Sequence, residues 1–236
     1  MTIAVPSPSL APRRVIVYID GFNLYYGCLK GTPYKWLDLV ELARQLLPND
    51  NIVRIHYFTA IVKPTPRDPS VHLRQGIYLR ALATLRNVSV RKGFFLLKHS
   101  RNPKVQPLNP VNPKIPNPAN PTVEVWVNEE KGSDVNLATQ LLLDAFDDNF
   151  DLAAVLSNDS DLAWPVRMVR RKFKKKVGVI KPERPASYPD PPRPDCVELR
   201  NNATWFRHVE ERHLIAAQFS ATLTDVTGAF TKPPTW

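Results

Sequence analysis

Hydrophobic and polar positions follow two periods along this chain. Arg14-Val15-Ile16-Val17-Tyr18-Ile19 and Leu152-Ala153-Ala154-Val155-Leu156 are short apolar runs closed by polar residues. Each predicts a strand covered on both faces, as in a parallel sheet. Elsewhere the apolar spacing lengthens to three and four. Positions 36, 39, 40, 43, 46 and 47 predict an amphipathic helix over Trp36–Leu47. Val71, Leu73, Ile77, Tyr78, Ala81 and Leu85 predict another over Pro69–Leu85. Ile52–Val62 and Val88–Leu97 are β-rich. Ser133 reads as the N-cap of a helix over Asp134–Phe146. Leu162, Pro165, Val166, Val169 and Phe173 share one face of a further helix, and Lys176–Lys181 is a fifth strand. Val197–Phe206 and Glu210–Phe219 each read as a small terminal strand or helix.

This alternation predicts an α/β fold: a three-layer sandwich around a mainly parallel sheet of about five strands. Two proline-rich stretches interrupt it, Asn102–Pro121 and Pro182–Pro194, and proline reaches 24 of 236 residues, about twice the usual share. They read as loops. Val123–Val127 alternates and is expected to pair with Phe94–Leu97 as a hairpin arm beyond the main sheet. Residues 1–12 read as a disordered lead-in, 13–182 as one domain with the insertion near 101–121, and 183–236 as a Pro-rich linker and an extension packing on it.

Composition narrows the class. An apolar fraction of 43% and a charged fraction of 23% fit a soluble globular chain. No apolar run reaches the ~18 residues of a membrane span, and Met1–Pro12 lacks the features of a signal peptide, so a cytoplasmic protein is expected. Cys28 and Cys196 have no metal-ligand spacing and read as free thiols, with a single disulfide left open. The net charge of +10 and pI near 9.7 favour a polyanionic partner. The obvious basic run, Arg170–Lys176, ends a helix that starts beside Asp161, so about twelve residues at ~1.5 Å each carry it to the opposite edge. Arg67, Arg74, Arg101, Lys104 and Lys114 are better placed to meet a nucleic acid.

The candidate chemistry is acidic. Asp20 stands where the first strand ends, followed by Gly21-Phe22-Asn23, and Ser157-Asn158-Asp159-Ser160-Asp161 follows the strand over 152–156. Ligand sites of open α/β sheets lie at such strand ends. Asp134 heads the helix face of Leu137, Ala138, Leu141 and Ala145, which points it toward the sheet; the helix N-terminus is expected to hold it ionised. Taken alone, Asp159-Ser160-Asp161 also reads as a turn and cap. Together the aspartates would repel unless a hard divalent cation joined them, and oxygen ligands suit Mg²⁺ or Mn²⁺. Tyr25, Tyr26 and Trp164 flank these motifs as rim packing or as stacking surfaces for bases.

Tyr18-Ile19-Asp20-Gly21-Phe22-Asn23, Lys131-Gly132-Ser133-Asp134 and Ser157-Asn158-Asp159-Ser160-Asp161 resemble, in order, three motifs of the NYN domains of the PIN-like nuclease superfamily. The likeness spans roughly residues 14–182. It implies a Rossmann-like α/β/α sandwich and metal-dependent hydrolysis of phosphodiesters, most often in RNA. The implied acidic cluster is Asp20, Asp134, Asp159 and Asp161, holding Mg²⁺ or Mn²⁺. Asn23 and Ser157 would orient ligands or substrate, and Lys131 would meet a phosphate. Asn158 and Trp164 depart from the usual pattern in positions that shape the site. Three other readings compete: a non-catalytic RNA-binding or scaffold module; a phosphotransferase, disfavoured because Phe22 stands where a second acid is wanted; and a nucleotide-binding fold, disfavoured because no glycine-rich loop follows a strand.

Overall fold

The computed structural model describes residues 12–66, 68–185, 188 and 193–236. The lead-in up to Ala11, Arg67 and part of the Pro182–Pro194 stretch lie outside the described residues.

The first apolar run forms β1 (Arg14–Asp20), whose residues after Arg14 are all buried. Its two faces divide the core. Val15, Val17 and Ile19 pack into one apolar cluster, Ile16 and Tyr18 into the other, which is the alternation of a strand covered on both sides. After β1 come α1 (Gly21–Leu24), a π-helical turn (Tyr25–Leu29) and α2 (Leu39–Leu46). α2 starts at Leu39 and not at Trp36 because Asp38 caps it, accepting from the N–H groups of Val40 and Glu41 at 2.8 and 3.0 Å. Next are β2 (Asn51–Ala60), α3 (Val71–Ala83) and β3 (Val88–Pro103).

β3 is 16 residues long and has two tasks. Its start pairs in parallel with β2, from Val88 to Gly93. The rest pairs antiparallel with β4 (Thr122–Lys131) from Phe94↔Lys131 to Pro103↔Thr122. The hairpin arm is therefore present in a different register: Phe94–Leu97 faces Asn128–Lys131, and Val123–Val127 faces Lys98–Asn102. Gly93 sits at the handover, where a Cβ would collide with the Lys131 carbonyl and the Glu130 carboxylate.

α4 (Ser133–Phe146), β5 (Leu152–Leu156), a 3-10 turn (Ser160–Leu162), α5 (Ala163–Lys172) and β6 (Lys176–Pro182) follow. Beyond them lie α6 (Val197–Asn202), β7 (Trp205–Val209), α7 (Glu211–Ala216) and a hairpin of β8 (Thr222–Asp225) and β9 (Gly228–Thr231).

The main sheet runs β4-β3-β2-β1-β5-β6-β7, parallel except for β3–β4. It has seven strands where about five were expected. β4 continues the sheet through the lengthened β3, and β7 adds to β6. The stretch 197–206, expected to be strand or helix, contains both α6 and the start of β7. The terminal hairpin was not predicted; it docks on the α2–α3 face through Arg80, which bonds Asp225 at 2.7 and 2.8 Å and lies 4.0 Å over Phe230.

Connections from β1 run to one side of the sheet through β2 and β3, and from β5 to the other through β6 and β7. The strand order reverses between β1 and β5, whose C-terminal ends form the crevice in which open α/β folds bind ligands.

Candidate active site

Asp20 is the last residue of β1 and is 2% exposed. Its carboxylate accepts three hydrogen bonds from its neighbours and still lines the open cleft. Asn23 donates to it twice, from its backbone N–H at 2.9 Å and its side-chain amide at 2.7 Å, and the Ser157 hydroxyl donates at 3.0 Å. Burial pushes the Asp20 carboxyl up, while these bonds from Asn23 and Ser157 pull against it. Gly21 is needed here: a Cβ would lie 2.7 Å from the Phe58 carbonyl and from the Tyr57 hydroxyl.

Ser157 links two aspartates. Its oxygen also accepts from the Asp159 N–H at 3.1 Å. Asp159 in turn caps the 3-10 turn, accepting from the Asp161 N–H at 3.0 Å. Asn23 and Ser157, expected to orient ligands or substrate, both hold the Asp20 carboxylate, and Ser157 is completely buried.

Asp134 enters from across the crevice on the first turn of α4. The N-cap of that helix is Gly132 at φ 94°, and Ser133 is already helical, so the expected Ser133 cap is replaced by a left-handed glycine. Ser133 is buried and donates its N–H to Glu130 at 3.1 Å. Leu137, Leu141 and Ala145 are buried on the face that Asp134 heads. Oxygens of Asp20, Asp134 and Asp159 all lie within 4.8 Å of one another. Asp161 is exposed and stands outside that group, because the 3-10 turn carries it around the corner.

The helix N-terminus does not hold Asp134 ionised. Burial, then the charges of Asp20, Asp159, Glu130 and Asp161, push its carboxyl up to about 7. A helix end contributes less than the loss of solvent and several like charges.

Among the described residues no Lys or Arg pairs with Asp20, Asp134 or Asp159. A second group of possible ligands provides the contrast. Glu183, Asp195 and His208 also converge, but the buried Lys181 ammonium fills their centre, 3.0 Å from Glu183 and 2.9 Å from Asp195. Burial pushes the Asp195 carboxyl up, yet bonds from Lys181 and His208 outweigh it and hold it below the usual range. One acidic group carries its own cation; the other suits a divalent ion supplied from outside.

The carboxylates open into a cleft of about 270 Å³, also lined by Phe22, Tyr26, Phe95, Asn128 and Glu130. Phe95, Asn128 and Glu130 come from the hairpin arm and were not anticipated; their facing depends on the β3–β4 register. Asn158 was singled out as a departure and proves to be a tie. It donates to the Pro194 carbonyl at 2.9 Å, accepts from the Cys196 N–H at 2.8 Å and donates its own N–H to Asn23 at 3.3 Å. Lys131 is half exposed and paired with Glu129 at 2.9 Å. Trp164 is 64% exposed and lines neither this cleft nor the neighbouring cavity. Cys28 and Cys196 are free thiols.

The sequence profile of the NYN domain matches residues 14–191. The chain belongs to the NYN domain family. That places it in the PIN-like nuclease superfamily. A relative, 6-hydroxy-3-succinoylpyridine 3-monooxygenase HspA of Pseudomonas putida, is 34% identical over 228 residues, covering 88% of this chain and 70% of the relative. A solved structure, a protein of unknown function from Vibrio parahaemolyticus, superposes with a TM-score of 0.53 at 16% identity, covering 87% of this chain and 98% of that one. It supports the fold alone.

Proposed function

We propose that this NYN protein is a metal-dependent ribonuclease that hydrolyses RNA phosphodiester bonds at the Asp20–Asp134–Asp159 cluster. The observation that carries the reading is the convergence of three carboxylates within 4.8 Å, with no Lys or Arg paired to them among the described residues. Mg²⁺ or Mn²⁺ fits this donor set: hard oxygens, two buried or half-buried carboxylates with raised pKa values, and open space on one side. When bound, such an ion supplies Lewis acidity to a water nucleophile and to the departing oxygen.

The protein's own part is geometric. Asn23 and Ser157 fix the rotamer of Asp20, and Ser157 fixes the start of the Asp159 loop. Asp134 would have to lose its proton to hold the ion, and Asp161, whose charge reaches Asp134, would complete the shell directly or through water. The Phe22, Tyr26 and Phe95 rings line the cleft and offer faces on which bases can stack.

Asp20→Asn and Asp159→Asn should each lower RNA cleavage in Mg²⁺ or Mn²⁺ by about a hundredfold or more. Full activity in both variants would overturn the assignment. Metal binding without cleavage of any RNA would favour the non-catalytic RNA-binding module. The name of the P. putida relative supports one further reading, oxygenation of a substituted pyridine. Incubation with 6-hydroxy-3-succinoylpyridine, oxygen and a reduced nicotinamide tests it; under the nuclease reading the pyridine is recovered unchanged.

A further inference from the structure

Behind Phe22 and Tyr26 lies a second cavity of about 400 Å³, larger than the acidic cleft. Those two rings line both spaces. The cavity is walled by rings: Phe22, Tyr25, Tyr26, Tyr57, Tyr78 and Trp236. The π-helical turn contributes to this, since Lys30 N–H bonds back to the Tyr25 carbonyl at 2.7 Å and the widened turn presents Tyr25, Tyr26 and Lys30 together. Pockets of this size and lining suit a flat ring better than a flexible chain.

The charge in the cavity is unbalanced. Lys35, Lys30 and Arg74 line it together with one acidic side chain, Asp68, which Arg74 engages in an ion pair. Lys30 lies 5.0 Å from the Tyr26 ring centre. Lys35 has no hydrogen-bond or ion-pair partner among the described residues. Burial, then repulsion from Arg74 and Lys232, lowers its pKa, and the charge of Asp68, already paired with Arg74, offsets this only in part.

We propose that this cavity binds a planar heteroaromatic ring carrying an anionic group, with the ring among the tyrosines and the anion at Lys35. Two sources share that chemistry: a nucleotide of an RNA strand and a free heteroaromatic acid. The position favours the first. Gly21, next to Asp20, lines the cavity, so a strand with one phosphate at the carboxylates can lodge a neighbouring base behind Tyr26. That placement rests on the ribonuclease reading; the site for a ring and an anion does not.

The test uses the full chain, stripped of metal with EDTA, and follows Tyr and Trp fluorescence during titration with uridine monophosphate, adenosine monophosphate and 6-hydroxynicotinate. Saturable binding of at least one probe is expected, with about tenfold weaker binding of uridine than of its monophosphate and about tenfold weakening by Lys35→Met, restored by Lys35→Arg. Binding by the nucleotides alone assigns the site to the strand; binding by the pyridine acid alone assigns it to a free acid. No binding by any probe, or binding that folded Lys35→Met leaves unchanged, overturns the proposal. Asp20→Asn should keep nucleotide binding while losing cleavage. If it cleaves RNA normally, the nuclease reading fails and the titrations still judge the cavity.

Discussion

Asp134 has an uncommon setting for a carboxyl on a first helical turn: it is held near neutrality, with its carboxyl pushed up to about 7. The sign of the effect follows from linkage. The unfolded carboxyl titrates near ~3.9, so the metal-free folded chain binds the extra proton between there and 7. Ionised Asp134 opposes folding, and the metal-free protein gains stability as pH falls through 7 toward 4. Metal must displace that proton. Mn²⁺ affinity should therefore rise about tenfold per pH unit up to 7 and flatten above it. Calorimetry at pH 6 in buffers of different ionisation enthalpy should show about one proton released per ion, and Asp134→Asn should remove both effects. Asp20, Asp134 and Asp159 were legible because each closes an apolar run or heads an apolar face. Asp161, which also begins a helix, had the weaker claim, and a 3-10 turn of three residues decides where it points. Glu130 was not legible, because alternation in β4 has no fixed inside until β3 sets the register.

Among the elements, strands enclosed on both faces were readable and the alternating edge strand β4 was readable apart from its register, whereas β7 and the terminal hairpin were not. β1 and β5 are nearly uniform apolar runs. β7 is only partly buried, and β8 and β9 are four residues each with mixed polarity, so their sequences carry little period. What places β7 is a contact that no periodicity encodes. The Trp205 ring lies over Gly178 of β6, and a Cβ at that glycine would overlap it. Gly178→Val should destabilise the fold by about 1–3 kcal/mol in urea unfolding, and Trp205→Leu in the same chain should recover most of the loss. A cost that persists in the double variant would mean that the glycine is required for the backbone and not for the ring. The same view explains why α2 began late: helix period extends through Trp36, but Asp38 caps the backbone two residues on.

Across the whole molecule, net charge is a poor guide to where a polyanion goes. Lys176 opens β6 opposite Leu152, so the Arg170–Lys176 run sits at the N-terminal edge of the sheet. A strand of five residues puts that edge roughly 17 Å from the carboxylates, beyond a Debye length at physiological salt. Arg170 is also committed, donating to the Asn202 carbonyl at 2.7 Å, and Lys175 pairs with Asp148. Replacing Arg171, Lys172 and Lys174 with Gln should leave RNA cleavage within about twofold at physiological salt; a much larger loss would place RNA on that edge. On the catalytic side Arg74, Arg101 and Lys131 are already paired with Asp68, Glu124 and Glu129. Among the described residues no helix is long and apolar enough to cross a membrane.

The strand order also has a consequence in time. β1 is made first and ends at the centre of the sheet, yet its neighbour β5 comes off the ribosome much later: Ser157, whose hydroxyl holds Asp20, follows it by 137 residues. Until β5 arrives, one edge of β1 has no partner and Asp20 has lost one of its three donors. The growing chain therefore carries its acidic motif in an unassembled form while those 137 residues are made, beside the messenger that encodes it. A contact of such long range closes late, so the cluster comes into being only with the finished sheet.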